Sequence, residues 1–338
     1  MKAKRILIFN VNWLGDVILS IPGIRAVREN FPDSFIAVVI PQRCREVLEG
    51  CPYLDEVIYF DERITHRGFW KKVQFIFVLR KKRFDTSFLI HRSLTRTLIC
   101  YLAGIKDRVG YDSRKRGWLL TKKINPLPRD RMHRADYYLG IFEGAGLKIS
   151  SKIYEFFLND SHRASIQNKL KEAGLKENER FAVLHPGANE PIRRWPVEHF
   201  VSLAKRIHKD FGWRVVISGS DRDLPLGRKI EEMSALQIIN LCAQTSLKEL
   251  AALFEKAKLV VCGDTGPMHI ASAMGTFVIC LFGTASAKIT SPRGKGKYII
   301  IQKDVDCVIP CRKLDCADNR CMKAITVEDV IDAVIRNF

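Results

Sequence analysis

The sequence predicts an α/β protein built from two doubly wound parallel-sheet domains facing each other across a cleft. Short apolar runs of strand length alternate with longer segments of helical period along nearly the whole chain. The 338 residues also exceed what one core normally supports, and the alternation lapses once near the middle.

In the first half, strand-like runs lie at residues 5–9, 35–40, 56–60, 86–90 and 108–110, and helical patterns at 17–30, 43–49, 68–82 and 94–103. Repeated strand-then-helix makes successive strands parallel, because each crossover returns the chain to the same end of the sheet. Residues 111–131 lose that rhythm in basic, Pro-containing sequence, read as long loops before a helix at 133–145. The boundary is placed after that helix, giving domains 1–150 and 151–338. In the second half, strands fit 180–184, 213–217, 237–240, 258–262, 277–282 and 298–301. Helices fit 197–211, 224–233, 247–256 and 268–274, and a closing helix at 328–336, capped by Thr326, is expected to pack back on the N-terminal domain.

Lys and Arg number 56 against 37 Asp and Glu, a net +19. Residues 1–150 hold 28 basic against 15 acidic side chains, net +13, and the remainder 28 against 22, net +6. Such a field draws in polyanions: nucleic acid, anionic lipid headgroups or a phosphorylated substrate. The interleaved aromatics of nucleic-acid modules are not evident, so no dedicated nucleic-acid partner is expected. The apolar run at Ile6 to Phe9 is too short for a secretory signal, and nothing approaches the roughly 20 apolar residues of a membrane span. A cytoplasmic protein is expected, its scattered Cys44, Cys51, Cys100, Cys242, Cys262 and Cys280 serving as reduced, small hydrophobes.

Four loops at strand ends carry polar groups, and ligands of open α/β sheets bind at such ends. After the first strand, Asn10-Val-Asn-Trp-Leu-Gly-Asp16 lacks the Gly-x-Gly-x-x-Gly of dinucleotide sites. Its Gly15 allows close approach, and Asp16 stands at a helix start, where the dipole favours its ionised form. Asp16 reads there as a general base or as a simple N-cap. After the first strand of the second half comes His185-Pro-Gly-Ala-Asn-Glu-Pro-Ile-Arg-Arg-Trp-Pro196. Gly187, Ala188 and Asn189 make a small turn able to approach phosphate, and Arg193 and Arg194 offer donors to diphosphate oxygens, with solvated surface charge the alternative. Ser220 and Asp223 in the next loop suit ribose hydroxyls or a capped helix start. Finally, Asp264-Thr-Gly-Pro-Met-His269 opens a helix whose free N–H groups suit an anion, and Gly283-Thr284-Ala285 adds a small turn at the same edge.

Taken in order, Trp-Leu-Gly-Asp-Val, His-Pro-Gly-Ala, Arg-Arg-Trp-Pro, Gly-Asp-Thr-Gly-Pro-Met-His and Leu-Phe-Gly-Thr resemble glycosyltransferase family 9, the ADP-heptose:lipopolysaccharide heptosyltransferases. The likeness covers nearly the whole chain, and the Trp13 loop with residues 41–61 is closer to the heptosyltransferase II branch. It implies a GT-B architecture of two Rossmann-like domains, acceptor in the first and sugar nucleotide in the second. It also implies Asp16 as the base that deprotonates the acceptor and Arg193, where relatives often have Lys, as the diphosphate ligand. Asp264, Thr265, Gly266 and His269 would line the donor site, with Gly187, Ala188, Asn189, Arg194, Ser220 and Asp223 beside them. The donor would be ADP-heptose, the acceptor a phosphorylated, Kdo-bearing lipid A inner core, and no metal cofactor would be required. A related enzyme using another nucleotide sugar is the runner-up.

The basic N-terminal half then suits that acceptor and the anionic inner leaflet. Trp13, Gly15, Arg92, Arg96 and His133 are the expected acceptor contacts, and Arg63, Arg67, Lys71, Lys72, residues 80–83 and residues 114–116 belong to the wider basic surface. Separately, Cys307, Cys311, Cys316 and Cys321 fall within fifteen residues. They could ligate a structural zinc or iron–sulfur group, form a disulfide staple, or stay reduced; the spacing lacks a Cys-x-x-Cys knuckle.

Overall fold

The computed structural model describes residues 3–62, 64–113, 115–311, 313 and 315–338, so Arg63 and Arg114 of the basic surface lie outside the described residues. The chain divides into two compact units, Met1–Phe157 and Leu158–Phe338. Unit 1 runs β1 (Arg5–Phe9), α1 (Leu14–Asn30), β2 (Phe35–Ile40), α2 (Arg45–Leu48), β3 (Glu56–Tyr59), α3 (Phe69–Lys81), β4 (Thr86–Leu89), α4 (Leu94–Leu102), β5 (Asp107–Tyr111), β6 (Lys122–Ile124) and α5 (Arg134–Gly144). Unit 2 runs α6 (Asp160–Glu172), β7 (Phe181–His185), α7 (Val197–Phe211), β8 (Arg214–Ile217), α8 (Leu224–Ser234), β9 (Ile239–Asn240), α9 (Leu247–Lys256), β10 (Leu259–Gly263), α10 (Gly266–Met274), β11 (Phe277–Phe282), α11 (Ala287–Thr290), β12 (Tyr298–Gln302), α12 (Arg320–Lys323) and α13 (Val327–Ile335).

Each unit has one six-stranded, all-parallel sheet, ordered β3-β2-β1-β4-β5-β6 and β12-β11-β10-β7-β8-β9. In each, the direction of winding reverses beside the first strand of the unit. Phe9 of β1 stands opposite Leu89 of β4, and His185 of β7 opposite Cys262 of β10. Loops leaving these strand ends diverge to opposite faces and open a crevice. The Asp16 loop and the Arg92 segment flank the first reversal, and the loops of Arg193 and Asp264 flank the second.

Helix α1 is buried on every side from Val17 to Val27, because it lies between the sheet and α5. A Cβ on Gly23 would come within 2.3 Å of the Phe142 ring on α5, so glycine permits that close crossing. The opposite face of the sheet is covered by α3 and α4, whose Phe75, Leu79, Ile99 and Cys100 pack on Leu7, Phe9 and Val39. Each large side chain so buried contributes about 2 kcal/mol.

The sequence reading misses β6, α6 and the short helices α11 and α12. Residues 122–124 form the edge strand β6, hidden because Lys122 and Lys123 are exposed and no apolar run announces them. Helix α6 buries only Ile166 and Leu170 and is announced by its capping box, Asn159 with His162, more than by periodicity. The closing helix α13, expected to return to the N-terminal domain, places Val330, Ile331 and Val334 in the core of unit 2 on α7 and β12. Phe338 then packs edge-on against Trp213 and Phe277.

Candidate active site

Asp16 is the third residue of α1, in its first turn, and is not its cap: Trp13 holds the N-cap position, with no side-chain cap bond. The Asp16 carboxylate instead accepts a 2.8 Å hydrogen bond from Tyr138 Oη on α5. Burial pushes the Asp16 carboxyl above its ordinary range, opposed by the Tyr138 hydrogen bond and by the positive charges of Arg134 and Arg129. The helix dipole favours the ionised carboxylate, but desolvation outweighs it. A carboxylate made more basic, yet half-buried rather than sealed, is suited to accepting a proton. Burial and the neighbouring Asp16 charge hold the Tyr138 phenol well above its usual pKa, so it remains a donor.

The loop that presents Asp16 is held from behind. Arg96, 2% exposed, donates to the Asn10 carbonyl (2.7 Å) and to Asn12 Oδ1 (2.6 Å), and lies 3.5 Å from Glu62. Burial lowers its pKa to about 10, partly offset by Glu62, so it stays charged. Asn10, fully buried, bonds to Ser20 Oγ at 2.8 Å. Arg96 is therefore committed to bracing this loop and is not open to a ligand as the sequence suggested. His133 is likewise buried as the N-cap of α5, its Nδ1 accepting from Ala135 N. Of the other expected contacts, Trp13 is exposed under the Arg43 guanidinium, Gly15 is half-buried beside Asp16, and Arg92 is half-buried with its guanidinium 5.8 Å from the Tyr137 ring.

In unit 2 the two loops at the β7–β10 reversal are tied by one side chain. Arg193 donates through Nε to Glu190 (2.8 Å) and through Nη1 to Asp264 (3.1 Å), leaving Nη2 without a partner among the described residues. The two carboxylates orient the fork and leave one edge for an anion. Asp264 is not the cap of α10; Thr265 is, and its hydroxyl bonds to the Gly263 carbonyl without capping the helix. The Thr265 side chain leaves the first turn of α10, from Gly266, uncapped beside Arg193, a combination suited to phosphate. His269 is buried within α10.

The neighbouring loops are braces. A Cβ on Gly187 would fall 2.3 Å from the Asp223 carboxyl, so glycine there is dictated by space. Asp223, buried, accepts from Ser220 N (3.0 Å) and Ser220 Oγ (2.7 Å) and lies 3.5 Å from Arg194, which also donates to the Ala188 carbonyl (3.0 Å). Ser220, Asp223 and Arg194 are thus engaged with one another, and Asn189 is exposed at the loop tip. Burial drives the pKa of His185 down to about 4, with Asp223 opposing; neutral at pH 7, it pairs with Ser218. Trp195 is a core anchor, donating to the Ile325 carbonyl at 2.8 Å.

Cys307 is exposed, Cys311 and Cys316 half-buried and Cys321 buried, all as free thiols. Among the described residues no group of His, Cys, Asp or Glu is placed to hold a metal ion. The segment instead abuts strand-end loops of unit 2: Cys311 N donates to the Thr284 carbonyl at 2.8 Å, and Asn319 reaches the Arg194 carbonyl.

A sequence-family model described as glycosyltransferase family 9 (heptosyltransferase) matches residues 73–320. Lipopolysaccharide heptosyltransferase 2 of Escherichia coli K12 is 27% identical over 302 residues, 85% of each chain. Lipooligosaccharide heptosyltransferase 2 of Haemophilus ducreyi is 28% identical over 311 residues, 88% of each. Among solved structures, the glycosyl transferase family 9 protein of Veillonella parvula has a TM-score of 0.89 at 23% identity, over 98% of this chain and 96% of that one. E. coli ADP-heptose lps heptosyltransferase II has a TM-score of 0.79 at 23% identity, over 98% of each chain. At such identities the structures speak for the fold.

Proposed function

The chain belongs to glycosyltransferase family 9, and on that premise we propose that it moves a heptose from ADP-L-glycero-D-manno-heptose to the lipopolysaccharide inner core, inverting the anomeric carbon. The observation that carries the reading is the Arg193 fork, oriented by Glu190 and Asp264 beside the uncapped first turn of α10, where a departing diphosphate needs positive charge. In one displacement, Asp16 takes the proton of the acceptor hydroxyl, its oxygen bonds to the anomeric carbon, and ADP leaves with the electron pair of the broken C–O bond. Arg193, the amides near Gly187 and the start of α10 would stabilise the charge gathering on that diphosphate. No metal is assigned a step.

Tyr138 keeps Asp16 oriented in this reading, and Asp223 with Arg194 and Ser220 shapes the donor loop. The acceptor would be a phosphorylated, Kdo-bearing lipid A core met at the inner face of the cytoplasmic membrane, which the basic charge of residues 1–150 suits. Among the described residues no helix is long and apolar enough to cross a membrane, so contact would be peripheral.

The test is ADP release from ADP-heptose with truncated core acceptors. Asp16→Asn should lose on the order of 10²- to 10⁴-fold in turnover while still binding ADP. Unchanged turnover would remove Asp16 from the base role, and turnover of a UDP-sugar alone would remove the donor assignment.

A further inference from the structure

Unit 1 exposes large apolar side chains on three neighbouring elements. On α3, Phe75 and Leu79 point to the core, while Trp70 and Phe77, seven residues apart and hence on one side of the helix, are 75% and 56% exposed. Helix α4 lies beside α3 and exposes Leu94, Leu98, Tyr101 and Leu102 at helical spacing. Next to α4, the turn Gly117–Leu119 exposes Trp118 to 72%. Single exposed apolar residues are ordinary, whereas one face assembled from three adjacent elements marks an interaction surface.

The charge around this face selects its occupant. Residues 63–83 contain eight Lys and Arg and no Asp or Glu. Arg67, Lys71, Arg80, Lys81 and Arg83 belong to this basic rim, whereas Lys82 is paired with Glu56. A second copy of the chain would bring two such basic faces together and be repelled. An anionic bilayer supplies both complements: negative headgroups for the basic rim and an interfacial layer where Trp and Phe partition well.

We propose that α3, α4 and Trp118 form the surface on which the chain lies against an anionic membrane. This rests on the reading that the acceptor is a membrane lipid, and it adds which residues make contact.

The experiment is sedimentation of the full chain with vesicles that carry no acceptor, either phosphatidylethanolamine with phosphatidylglycerol or phosphatidylcholine alone. Wild type should bind the first and not the second. Trp70→Glu with Phe77→Glu, and separately Lys71→Glu with Arg80→Glu, should each weaken partition by about tenfold or more. All four positions are exposed, so both variants should keep the wild-type melting temperature, and the aromatic variant should keep full transfer to a water-soluble truncated acceptor. Equal binding by wild type and variants, or equal binding of both vesicle types, overturns the proposal. So does a wild-type dimer that the aromatic variant splits without losing vesicle binding, since the face would then serve self-association. Vesicle binding without any heptose transfer would strike the functional reading and leave this surface standing; transfer without vesicle binding would do the reverse.

Discussion

At the scale of single residues, the candidate site depends on partners that sequence spacing does not reveal. Asp16 was legible as a carboxylate at a strand-end loop, but Tyr138 lies 122 positions away and meets it only because α5 packs on α1. That contact sets the sign of a pH prediction. The Tyr138 hydrogen bond lowers a pKa that burial has raised, so Tyr138→Phe leaves burial less opposed and moves the Asp16 pKa higher still. As the proposed base, Asp16 would work deprotonated, so the acid limb of the kcat/KM profile should move to higher pH. Below that limb, activity falls about tenfold for each pH unit the limb has moved. A pH–rate profile of the variant checks this, and an unmoved limb would mean that another group sets it. Arg96 and His133 show the converse. Basic residues at loop positions look like ligand contacts in sequence, and burial turns both into structural supports.

Among elements, strands and helices with a strong apolar pattern were legible, and those held mainly by polar ties were not. Helix α6 joins α9 through Glu249, which accepts from Lys169 and from Ser165 (2.6 Å) and closes the capping box with Ser246. Burial would raise the Glu249 pKa, but these hydrogen bonds and the Lys169 charge outweigh it and bring the value down to about 2. The folded pKa lies below the unfolded one, so this stability is present above the ordinary Glu pKa and is lost as pH falls toward 2. Glu249→Gln should therefore destabilise the protein by about 2 kcal/mol at pH 7, with the difference from wild type closing in acid. Urea unfolding at several pH values measures it, and a pH-independent difference would contradict the assignment.

For the whole molecule, the proposed function gives each unit its own task. If ADP is held at the β7–β10 reversal, ADP alone should slow amide exchange in residues 186–194 and 263–269 and leave the β-strands of unit 1 unchanged. Hydrogen-exchange mass spectrometry reads this directly, and protection confined to residues 10–16 would reverse the assignment. The sequence alone determined the parallel α/β class, two domains, the excess positive charge of the first half and the strand-end loops that carry the candidate site. These follow from local apolar period, chain length and composition, which need no knowledge of distant contacts. Only the tertiary structure decided which polar residues in those loops are committed to braces, which carboxylate is made more basic, and which helix faces stay bare. Burial, hydrogen-bond partners and desolvation arise when segments far apart in sequence are packed together, and no local pattern records them.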